Sequence, residues 1–124
     1  MPDQSNIERF ISTTFRSVWD LELLLELYRS ADENRTREQL VSTLRASDVI
    51  VARGIDTLLA AGLITQDRSG SVRYRAASAE LADEVKGAIE LYAAKPDSVR
   101  RLIVLASSSG LAAFSDAFRF KGDK

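Results

Sequence analysis

Residues Arg45–Ile64 read RASDVIVARGIDTLLAAGLI. Val51, Ile55, Leu58 and Leu59 recur at spacings of four, three and one, which puts them on one face of a helix. Ser47 stands just before this stretch, where a hydroxyl can accept a free backbone N–H. Gly62 supplies the left-handed residue that commonly ends a helix. Leu63 and Ile64 follow at once, and an apolar pair needs burial. A helix that stops and turns straight into such a pair predicts a small sheet packed on the same core.

The neighbouring residues agree. Upstream, TREQLVSTLR opens with Thr36 and carries Gln39 three residues later, the pattern of a capping box. Leu40, Val41 and Leu44 form its apolar stripe, and Ala46-Ser47 separates this short helix from the next. Downstream, TQDRSGSVRYR predicts a hairpin: a strand to about Arg68, a turn at Ser69-Gly70, and a return strand from Ser71 to Arg75. Alternation puts Arg73 and Arg75 on one face and Val72 and Tyr74 on the other.

Further out, Ser17 and Asp20 flank the start of VWDLELLLELYRS, whose face is Val18, Leu21, Leu24, Leu25 and Tyr28, with Trp19 counted among the core residues. A first helix, capped by Ser5 or Asn6, carries Ile7, Phe10, Ile11 and Phe15. Ser78 caps a long helix with Leu81, Val85, Ala88, Ile89 and Tyr92, ended by Pro96. Asp97 then caps a helix with Val99, Leu102, Ile103 and Ala106. A kink is expected at residues 107–110, followed by a last turn or two carrying Leu111, Phe114 and Phe118 that packs back on the domain or across a dimer. The fold class is mainly α with a small β-hairpin. Residues 1–124 form one domain, with a core at 17–77 and flanking helices at 5–16 and 78–120.

The chain has no cysteine and no histidine, which removes thiolate zinc sites, cysteine nucleophiles and a Ser-His-Asp triad. No phosphate-binding glycine motif occurs. We therefore expect no enzyme, no metal and no cofactor. No apolar run approaches a membrane span, and the N-terminus lacks a secretory pattern, so a cytoplasmic protein is expected. The net charge of −1 hides a gradient. Residues 1–34 carry three arginines against seven acids, a net of −4. Residues 35–75 carry seven arginines against four acids, a net of +3. Residues 76–124 carry seven of each. The one positive third contains the opening stretch.

From Val18 to Ala77 the chain resembles the winged helix-turn-helix transcription regulators, most like the MarR group in layout. The matching pieces are WDLELLLEL, TREQLVSTLR, SDVIVARGIDTLLAAGLI and RSGSVRYR. In that group an L-x-x-x-G-L-I/V ending follows the recognition helix, here Leu58, Gly62, Leu63 and Ile64. The resemblance implies a DNA-binding regulator that works as a homodimer, with Ile7–Phe15 and Ala79–Ala94 in the dimer interface. The segment Asp97–Phe120 departs from the group's usual ending.

On this reading the recognition helix turns Asp48, Ile50, Ala52, Arg53, Asp56 and Thr57 outward, and Arg53 is its strongest base reader. The candidate DNA-binding residues are Arg37, Arg45, Ser47, Arg53, Thr57, Arg68, Arg73 and Arg75. Arg68, Arg73 and Arg75 would grip phosphate or enter the minor groove from the hairpin, while Arg37 and Arg45, with Arg35, lie at helix ends near that surface. The partner is double-stranded DNA, and no effector pocket is evident. The competing reading is a winged-helix protein–protein interaction module without DNA, favoured by the acidic total and the two aspartates of the recognition helix.

Overall fold

The computed structural model describes residues 3–107. Within them α1 (Gln4–Thr14), α2 (Val18–Arg29), α3 (Arg37–Leu44) and α4 (Asp48–Ala60) precede the hairpin of β1 (Ile64–Gln66) and β2 (Val72–Tyr74). Then come α5 (Ala79–Ala94) and α6, described over residues 96–107. The protein is mainly helical, with one antiparallel two-stranded sheet. The expected kink beyond Ser107 and the turn carrying Leu111, Phe114 and Phe118 lie outside the described residues.

The core is built around α2. Leu21, Leu23, Leu24 and Leu27 are all buried, so the apolar face is rotated from the one the spacing suggests, and Val18, Leu25 and Tyr28 flank it. Trp19 lies outside the core with 38% of its surface exposed, because it sits in the first turn of α2, at the margin of a buried face centred on Asp20, Leu24 and Leu27. The most extensive helix contact is between α2 and α4. Gly54 makes it possible: a Cβ there would stand 2.8 Å from Leu23 Cδ2 and 3.4 Å from Asp20 Oδ1. Val51, Ile55 and Leu58 fill the rest of the crossing, while Leu59 is only partly buried at its edge.

Local chemistry fixes the element ends. Thr36 and Gln39 form the expected reciprocal cap: the Gln39 N–H donates to Thr36 Oγ1 at 3.0 Å, and the Thr36 N–H donates to Gln39 Oε1 at 2.9 Å. Ser47 Oγ accepts from the Ile50 N–H, and Ser78 Oγ from the Leu81 N–H, each at 3.1 Å. Asp3, not Ser5 or Asn6, caps α1, accepting the Asn6 N–H at 2.9 Å. A carboxylate one turn earlier reaches the free amides, so Ser5 and Asn6 lie inside the helix. Pro96 begins α6 rather than merely closing α5, and Asp97 is inside α6. The break is the single residue Lys95, and proline at a first helical position sacrifices no hydrogen bond.

At the start of α2, Asp20 is the one buried charged residue among those described, 4% exposed. Its Oδ2 accepts the N–H of Arg16 at 2.8 Å and of Ser17 at 3.3 Å. Burial pushes its carboxyl above the ordinary aspartate value, and these two N–H groups and the nearby Arg16 charge oppose that shift. Tyr92 of α5 donates its hydroxyl to the Glu22 carboxylate, and the Arg100 guanidinium lies 5.5 Å from the centre of the Tyr92 ring, so α2, α5 and α6 meet at one point.

Gly62 adopts φ 76° and turns the chain into the sheet, as expected. The strands are shorter than the sequence suggests. They pair as Ile64 with Tyr74, Thr65 with Arg73 and Gln66 with Val72, leaving Asp67–Ser71 as the turn. The reason is Asp67, whose Oδ1 accepts the Ser69 N–H at 2.9 Å, the Ser69 hydroxyl at 2.7 Å and the Ser71 N–H at 3.0 Å. An aspartate that bonds the following amides replaces strand pairing with a turn. On the other side of β2, Arg35 and Val72 exchange two backbone hydrogen bonds of 2.8 Å. The hairpin is thereby stitched to the segment entering α3, and Val72 and Ile64 are buried beneath it while Tyr74 meets Tyr28 edge-on at 5.1 Å.

Candidate nucleic-acid interface

The Arg35–Val72 bridge decides what faces what. It holds the hairpin turn beside the start of α3, and the two, with α4, line a cleft of about 500 Å³ that includes Arg37, Ala52, Asp56, Gln66 and Ser69. The outer side of α4 is therefore bounded by the hairpin on one flank. On the other flank Arg53, Asp56 and Thr57 face Thr14 and Arg16 of the α1–α2 turn across a cleft of about 700 Å³.

All eight sequence-predicted residues fall on the α3–α4 unit or the hairpin as cations or hydroxyls open to solvent to differing degrees. Arg53 is exposed at the middle of α4, and Thr57, one turn on, is half-buried. Arg68 is exposed at the hairpin tip, and Arg75 is exposed just past β2. Arg73 lies in β2 opposite Thr65, on the face away from Val72. Arg45 is exposed and ends α3 with φ 55°, its N–H donating to the Val41 carbonyl. Ser47 is exposed, and its oxygen already caps α4, which leaves its own O–H proton free to donate. Among the described residues Arg45, Arg53, Arg68, Arg73 and Arg75 form no ion pair.

Arg37 is different. Its Nε bonds Asp48 Oδ1 at 2.9 Å, so it neutralises the first acid of α4 and is not a spare cation. Arg35 is committed to structure: its guanidinium bonds Glu26 at 2.9 Å, and Ser30 Oγ and Thr43 Oγ1 at 3.1 Å each. The acids near this surface are partly disarmed. Asp48 is paired, and Asp67 spends an oxygen on the hairpin turn, where the Ser69 hydroxyl and the turn's N–H groups hold its carboxyl below the ordinary aspartate value. Asp56 remains exposed between the two clefts and opposes any anion there.

Three features were not apparent from spacing. Val49 on the outer side of α4 is 56% exposed, an apolar residue where the helical pattern gave no reason to expect one. Arg16, from the α1–α2 turn, lines the same cleft as Arg53, although the two are distant in sequence. The backbone bridge of Arg35 has no side-chain signature at all. Among the described residues, no group of three histidines, cysteines or acids is placed to hold a metal ion, and no helix is long and apolar enough to cross a membrane. No family model matches the chain, and neither the curated proteins nor the solved structures contain a match to it.

Proposed function

We propose that the protein is a DNA-binding transcription regulator with a winged helix-turn-helix fold, in which α4 enters the major groove and the β1–β2 hairpin is the wing. One observation carries this reading. The Arg35–Val72 bridge holds the hairpin turn beside α3 and α4, and Arg53 on α4 and Arg68, Arg73 and Arg75 on or next to the hairpin form no ion pair among the described residues. A helix flanked by a basic ribbon suits a duplex: the helix reads base edges and the ribbon holds phosphate or a narrow minor groove. Arg53 is the base reader, able to fork onto a guanine, and Val49 offers an apolar contact for a thymine methyl. The two units of a homodimer would be joined through α1, α5 and α6, where Leu91, Leu102 and Leu105 line a groove with Gln4 and Glu8.

The test is selection of bound fragments from genomic DNA at near-physiological salt, with a mass measurement of the complex. Enriched fragments carrying a two-fold repeated half-site are the expected result. Arg73→Ala should then weaken binding to all duplexes, and Arg53→Ala should weaken selected duplexes more than scrambled ones, each by about tenfold. No enrichment, together with affinity that does not fall as salt rises, overturns the reading. A second reading has its own support: exposed Val49 and Asp56 on α4 suit a protein groove, and a winged-helix interaction module would bind its partner with weak salt dependence.

A further inference from the structure

α4 stands between two clefts, and the hairpin lines only one of them. Asp56 lines both, so it marks the ridge of the helix between them. A helix with its side chains is about 10–12 Å across, close to the roughly 12 Å width of the major groove. A helix seated there has one sugar–phosphate strand along each flank. The hairpin and the start of α3 face one strand. The α1–α2 turn faces the other.

Resting on the DNA reading above, we infer that Arg16 is a phosphate-binding residue, gripping the strand opposite the one that the hairpin holds. Arg16 is exposed, lines the same cleft as Arg53, and has no ion pair among the described residues. Asp20, four residues on, is buried and already accepts the backbone N–H groups of Arg16 and Ser17. Thr13 turns its hydroxyl back to the Arg9 carbonyl at 2.8 Å, which leaves Thr14 and Thr57 as the neutral polar groups lining that cleft with the two arginines. Two arginines with two hydroxyls form a site for an oxyanion with no base to read, and a backbone phosphate supplies one at each nucleotide. Asp56 on the rim opposes the anion on both flanks, so its charge limits affinity without setting sequence preference.

The experiment uses the full chain, one duplex recovered by selection from a random-sequence library, and a scrambled duplex of the same length. Arg16→Ala is expected to weaken both duplexes alike, by about tenfold, and to lower the slope of log affinity against log salt by about 0.9, the loss of one phosphate contact. Asp56→Asn is expected to tighten both by roughly threefold. Arg16→Gln, with an unchanged melting temperature, separates lost charge from lost folding and should reproduce the loss. An Arg16 variant that folds and keeps the parent's salt slope overturns the inference. A parent that binds neither duplex overturns the DNA reading itself, a result visible before any variant is made.

Discussion

On one side of α4, Leu58 is fully buried, Gly54 has Leu23 where a Cβ would go, and Asp20 spends its carboxylate on two backbone N–H groups beneath the crossing. On the other side of the same helix Arg53, Asp56 and Val49 touch solvent. The inner side is crowded, dry and intolerant. The outer side is charged and open, bounded by the hairpin on one flank and the α1–α2 turn on the other. The difference teaches where to look for function in a chain without matched relatives. Residues that hold the helix in place are constrained by volume, and residues that serve a partner are those the fold could do without.

Substitutions can break that contrast. The largest effect belongs to the inner side: Leu58→Ala removes a fully buried side chain and should lower unfolding stability by about 3 kcal/mol, read from denaturant midpoints. Asp20→Ala leaves the Arg16 and Ser17 N–H groups without their acceptor and should cost about 2 kcal/mol in the same assay. Arg53→Ala should change stability by less than about 0.5 kcal/mol while affecting DNA affinity. If Arg53→Ala destabilises as much as Leu58→Ala, the two sides of α4 do not divide the labour.

The smallest effect sharpens the contrast at the hairpin tip. The Ser69 hydroxyl and the turn's N–H groups favour ionised Asp67, so its folded carboxyl titrates below the ordinary value of 3.8. The stabilisation this gives is complete above that value and disappears as pH falls through the lower folded one. Acidification should therefore loosen the Asp67–Ser71 turn first, seen as faster exchange of the Ser69 and Ser71 amides while the amides of α4 stay protected. Simultaneous loss of protection in both places would show that the hairpin tip is no looser than the core.

Much of the fold could be read from single residues because the responsible interactions are local. Thr36 with Gln39, Ser47, Ser78 and Gly62 each act within one turn of chain, and each is found in its expected role. What spacing could not supply depends on long-range packing. The choice of Leu23 and Leu27 over Val18 and Tyr28 follows from how α2 meets α4, and Trp19, in the first turn of α2, is left at the margin of that face. The sequence marked the arginines of the candidate site as cations, but not their surroundings: Arg37 is taken by Asp48, Arg35 by Glu26, and Arg16 lines Arg53's cleft from another element. Charge is visible in a sequence, whereas pairing requires the fold.

Arg45 carries a final consequence. It holds a left-handed backbone at φ 55°, where a side-chain-bearing residue pays roughly 1 kcal/mol that glycine avoids. The bend into α4 would form more readily with glycine, yet the position bears a guanidinium. If the protein binds DNA as proposed, heat resistance and attraction for a polyanion pull against each other at this single site, and a hardier descendant of this chain would surrender one of its outward cations to gain its durability.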